Sequence, residues 1–189
     1  DYYERLIRER ELEPLHGLMT RNFAAALLDE SQQVTNKLLK TDPQVVSDVY
    51  SRPFVFDHIP GYISRAIGLL GDQHFMFRHL HARQLFFEGL TAYTKDSSGV
   101  TSSERLHTVS DKMEAALQVD SNAAFIHAYL CHFYTWFKQN QTKSLHFADK
   151  VIELAPNWVV AQINAASSFG YFGWQLEDTI LLAKSEECL

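Results

Sequence analysis

Apolar residues recur at steps of three and four along most of this chain, as one face of a helix requires; Leu27, Leu28, Val34, Leu38 and Leu39 show the pattern. No comparable run of strict alternation occurs, so the pattern predicts helices and no strands. The breaks carry their own chemistry. Asp42-Pro43 reads as an N-cap followed by proline at the first helical position, and Pro156-Asn157 as another helix start. Arg52-Pro53 and Ile59-Pro60-Gly61 bracket an irregular stretch from Phe54 to Ile59. Before them the pattern predicts a charged helix over about Tyr2 to Leu12, a longer one over about Leu18 to Leu39, and a short one after Pro43. The clearest loop is Thr94 to Val100. Thr101-Ser-Ser-Glu104 then forms a capping box that opens a helix running to about Val119.

The chain also resembles itself. Ala115-Ala-Leu-Gln-Val-Asp-Ser-Asn122 and Lys150-Val-Ile-Glu-Leu-Ala-Pro-Asn157 align Asn122 with Asn157, an offset of 157 − 122 = 35 residues. Leu38-Leu-Lys-Thr-Asp-Pro43 has the same form: the close of an amphipathic helix, then a polar turn. A hairpin with Phe86, Phe87 and Tyr93 on one face cannot hide that face alone. A neighbour carrying Tyr129, Phe133, Tyr134 and Trp136 would bury a shared core with it, and Ala123, Ala124, Ala128 and Ala148 would let helices approach closely.

On these residues the chain resembles the tetratricopeptide repeat family, whose period is about 34 residues. In the unit 122–156, Leu130 and Tyr134 match the family's Leu and Tyr positions, Ser144 and Ala148 its small second-helix positions, and Pro156 its closing proline. His127 and Cys131 depart from the usual aromatic and glycine, and one extra residue separates Tyr134 from Ser144. The unit 157–189 offers Ala165-Ala166, Phe169, and Gly173 at the turn. The unit 72–121 offers Ala82, Gly89 and Ala116 around an enlarged loop. The resemblance implies an all-α fold: an α-α superhelix over 61–189, preceded by a helical segment over 1–60. It further implies a groove for a protein segment along the first helices, at Phe125, Ala128, His132, Thr135 and Trp136, and then at Val160, Ile163, Ser167, Gly170 and Tyr171. That set is apolar and aromatic with few charges, so the expected ligand is an apolar helix or extended peptide. Of the aromatics Trp136, Trp158, Tyr171, Phe172 and Trp174, most are expected in the core.

Composition narrows the partners. Lys and Arg total 17 against 23 acids, a net charge of −6, and no basic stripe is present, so nucleic acid is not an expected partner. Nothing approaches about 18 uninterrupted apolar residues, so no membrane span is predicted. Cys131 and Cys188 form no CxxC pair, no signal peptide is visible, and a reducing, cytoplasmic setting is the expectation. Both ends look cut, as in a fragment of a longer protein.

Catalytic signatures do not appear: no GxSxG, no P-loop, no GxGxxG and no HExxH. No catalytic residues, metal or cofactor are therefore expected, and the acids Glu9, Glu11, Glu13, Asp29 and Glu30 read as solvated helix faces. His74, His79 and His81, and His127, Cys131 and His132, are the groups a metal reading would use, but neither supplies a nameable third and fourth ligand. Asn140-Gln-Thr142 is a glycosylation sequon of a kind that arises often by chance. The leading expectation is an interaction module for a protein or peptide, or for self-association. The alternative is a regulatory or sensor segment of a larger bacterial signalling or transcription-regulating protein, which the flanking gene sequence would decide.

Overall fold

A computed structural model describes residues 2–92 and 102–188. Among these residues the chain is all-helical: ten α-helices, two short 3-10 segments and no strand. Tyr93, the loop Thr94–Val100 and the threonine of the Thr101 capping box lie outside the described residues.

The N-terminal part begins with α1 (Tyr2–Leu6) and a 3-10 segment, Arg10–Leu15, where one helix over about Tyr2 to Leu12 was expected. Pro14 explains the tighter winding, because it has no N–H to give to the carbonyl of Arg10. Then come α2 (His16–Leu39), α3 (Pro43–Ser51), a 3-10 turn over Pro53–Phe56, and α4 (Ile59–Leu70). Asp42 caps α3 as its position suggested: its side chain accepts from the backbone N–H groups of Gln44 and Val45 at 3.1 and 3.0 Å. Pro60, at the far bracket of the irregular stretch, sits in the first turn of α4, where its missing N–H costs nothing. Helix α4 packs on both α2 and α5 (Phe77–Ala92), so it joins the N-terminal segment to the C-terminal helices.

The C-terminal part is three antiparallel pairs: α5 with α6 (Ser102–Val119), α7 (Ala124–Trp136) with α8 (Gln141–Leu154), and α9 (Val159–Leu176) with α10 (Thr179–Glu187). Helix α9 packs against both α7 and α8, so the pairs beginning near Asn122 and Asn157 lie side by side. One core cluster runs without interruption from Leu38 through Ile63, Phe87 and Leu130 to Phe169.

Small residues set the helix spacings. A Cβ on Gly89 would meet Lys112 Cβ at 3.1 Å and Met113 Cε at 3.2 Å, so α5 and α6 touch nearly backbone to backbone. Ser144 and Ala148, on α8, are fully buried. Ser144 Oγ lies 2.6 Å from both Thr135 Oγ1 and Ser168 Oγ, a buried hydroxyl chain that stitches α7, α8 and α9. Ala148→Trp has no room for its ring, and an overpacking loss of at least about 1–3 kcal/mol in chemical denaturation is expected. Gly173 does not form the turn that was expected of it. Helix α9 runs on to Leu176 and ends at Glu177, whose φ of 54° is left-handed. Gly173 is instead the place where α10 crosses: a Cβ there would lie 3.0 Å from the Leu182 backbone nitrogen.

Candidate functional site

Helix α7 is apolar nearly all round. Its buried residues include Ile126, Leu130, Phe133 and Tyr134, and only Trp136 is exposed. Tyr134 stacks on Phe147 at 5.8 Å, donates its hydroxyl to Glu114 of α6, and lies under Lys143 Nζ. The side of α7 turned toward α6 and α8 is therefore filled by the neighbouring helices. The opposite side, shared with α9, is where the expected groove residues collect.

Those residues divide three ways. His132, Trp136, Val160, Ile163 and Ser167 line one cleft, of about 310 Å³, together with Val46, Ser47 and Tyr50 of α3 and Asn164 of α9. Trp136 is 48 % and Ile163 51 % exposed, and the Trp136 ring lies 5.2 Å from that of Tyr171, which extends the strip along α9. Phe125 turns the other way along α7, edge-on to Phe86 of α5 at 4.9 Å, and fills the joint with the preceding pair. Ala128 and Thr135 are fully buried and do not reach the cleft. Thr135 Oγ1 donates to Cys131 O at 2.8 Å and meets Ser144, so it faces α8. Of the aromatics expected in the core, Trp158 and Phe172 are buried there, Tyr171 is half-buried, and Trp136 and Trp174 are exposed.

The cleft has one wall that periodicity did not show. Helix α3 lies across α7 and α9. The Tyr50 ring stacks on Tyr129 at 5.8 Å and meets His132 edge-on at 4.8 Å, while its hydroxyl accepts from Asn164 Nδ2 at 2.7 Å. Asn164 Nδ2 also donates to Ala128 O at 3.0 Å, so a single buried amide ties α3, α7 and α9 together. Next to it, Trp158 Nε1 donates to Leu38 O at 3.2 Å, at the C-terminal end of α2. A smaller void of about 110 Å³ lies on the other flank of Tyr50, among Pro53, His132, Phe133 and Phe137.

The electrostatics here are those of an uncharged, largely apolar surface. No charged side chain lines the cleft. Burial pushes the His132 imidazole down to about 4 and lowers His127 as well, while burial raises the Cys131 thiol to about 12. Both histidines thus favour the neutral form in the folded chain. Their contribution to stability is complete above the unfolded value of about 6.5 and is lost as pH falls through the folded values. Stability should drop by about 3 kcal/mol at most from His132 between pH 6.5 and 4. A urea series across that window checks it, and His132→Phe should flatten the slope.

The candidate metal groups are not assembled. His79 Nδ1 meets Asp120 at 2.8 Å, His74 Nδ1 accepts from the Met76 amide, and His127 Nε2 donates to Ser121 O at 2.9 Å. Cys131 is buried against α9, donating to Asn164 O. Among the described residues no three metal-binding groups converge. The Asn140 side chain of the sequon caps α8, accepting from Lys143 N at 3.0 Å. A second concavity, of about 450 Å³, opens between α6 and α8. Its lysines are already paired, Lys143 with Glu114 at 2.5 Å and Lys150 with Glu153 at 2.6 Å. Among the described residues no helix is long and apolar enough to cross a membrane. Compared with protein-family models, with curated proteins and with solved structures, the chain matches none.

Proposed function

We propose that this chain is a protein-interaction module, a superhelix of tetratricopeptide-like hairpins that takes an apolar helix or extended peptide on the face shared by α7 and α9. The carrying observation is the uncharged cleft beside α3, with Trp136 and Ile163 each about half exposed at its edge. Large apolar side chains left open beside a preformed apolar cleft are what helix-in-groove recognition uses. The side-by-side hairpins and the close approaches at Gly89, Ser144 and Ala148 support the repeat reading.

The test is a peptide-library selection on the intact chain, followed by affinity measurement on Trp136→Ala/Ile163→Ser. Both side chains are exposed enough that the variant should keep its helical content and melting temperature. Selected peptides should bind the variant at least about tenfold more weakly, a loss of about 1.4 kcal/mol. Equal binding to both proteins would place the recognition surface elsewhere.

A further inference from the structure

The face that would receive a partner helix already holds one. Helix α3 presents Val46 and Tyr50, four residues apart and so on one side of the helix, to α7 and α9. It makes there the contacts a bound peptide would make: ring packing on Tyr129 and His132, and one buried hydrogen bond from Asn164.

Its seat is open at the sides. Val45 and Val49 anchor α3 in the core, but beside Tyr50 it borders an open cleft of about 310 Å³ and a smaller gap of about 110 Å³, so its seat on α7 and α9 is narrow. The charges of α3 stay on α3: Asp48 pairs with Arg52 at the C-cap and accepts from Gln44 at 3.0 Å. The helix has nine residues, too few to persist undocked, and it is bounded by a left-handed Thr41 (φ 58°) on one side and Arg52-Pro53 on the other.

We infer that α3 is a resident stand-in for the partner, so that the α7–α9 face is self-occupied. A helix bearing a β-branched residue and, four positions on, a tyrosine for Asn164 would compete with it. This rests on the interaction reading for its biological sense, but α3 can be tested without any foreign partner. Undocking and melting of α3 are then one event, and it opens more readily than the hairpins beneath.

The experiment is native-state hydrogen exchange on the intact chain, joined to binding of a fluorescein-labelled synthetic peptide spanning residues 38–58 of its own sequence. The amides of residues 46–52 should exchange at least about a hundredfold faster than the central amides of α7 and α9. The labelled peptide should bind full-length Tyr50→Ala at least about tenfold more tightly than the wild type, whose own α3 competes at high effective concentration. The same peptide carrying Y50A should lose that advantage.

Exchange of α3 as slow as that of α7 would overturn the inference, since α3 would then be fixed core. So would rapid exchange with no difference in peptide binding. Should Tyr50→Ala fail to fold, the exchange rates of the wild type decide. If the own-sequence peptide binds as expected while library selection yields nothing on this face, self-occupancy stands and the partner reading falls.

Discussion

Phe86→Ala should destabilise the chain by about 3–5 kcal/mol, the usual cost of emptying a fully packed phenylalanine site. Phe86 is 1 % exposed, and its ring meets Phe87 at 5.3 Å, Phe125 at 4.9 Å and Tyr129 at 6.1 Å. It is therefore the piece of α5 around which the pair α5/α6 joins the pair α7/α8. Against a total stability of about 5–15 kcal/mol for a domain, that loss is a large fraction. The control is Phe75→Ala: Phe75 is 85 % exposed and should change stability by no more than about 0.5 kcal/mol. Urea midpoints of the two variants make the comparison. Equal midpoints would mean that the pairs do not pack through Phe86.

Asn164→Leu should cost about 2–4 kcal/mol although the two side chains are of similar size. The amide makes two hydrogen bonds, to the Tyr50 hydroxyl and to Ala128 O, and both acceptors are left without that donor. A buried polar group stripped of its partner costs about 1–3 kcal/mol. The cause can be isolated by adding Tyr50→Phe, which removes one orphan. The double variant should recover part of the loss, with a coupling energy of about 0.5–3 kcal/mol. Strict additivity of the two substitutions would show that the Tyr50–Asn164 bond carries none of the cost.

What could be read from the chain beforehand was local. Most of the helices, the Asp42 cap and the small residues Ser144 and Ala148 are encoded within one or two turns, and the structure has them as helix, cap and buried positions, the split of the first helix near Pro14 being the exception. Helix register on α7 was harder to read. A helix buried on almost every side has no polar stripe to fix which residues look outward, so Ala128 and Thr135, expected on the face, lie inside. The docking of α3 beside α7 and α9 is not legible at all. Its hydrogen bond to Asn164 joins residues 114 positions apart, and nothing in a nine-residue helix states where it will dock. A hint existed in Tyr50 itself, an aromatic on a short helix too small to bury it. Gly173 misled for a related reason: glycine marks both turns and close crossings, and only the position of α10 distinguishes them.

The most direct measurement of where α3 sits is a set of nuclear Overhauser contacts from the Tyr50 ring in the intact chain. With ring centroids 4.8 Å from His132 and 5.8 Å from Tyr129, cross-peaks to both are predicted, together with one from Phe86 to Phe125. A Tyr50 ring with contacts only to α2 or α4, and none to His132 or Tyr129, would contradict the placement of α3 on the α7–α9 face and remove the site with it.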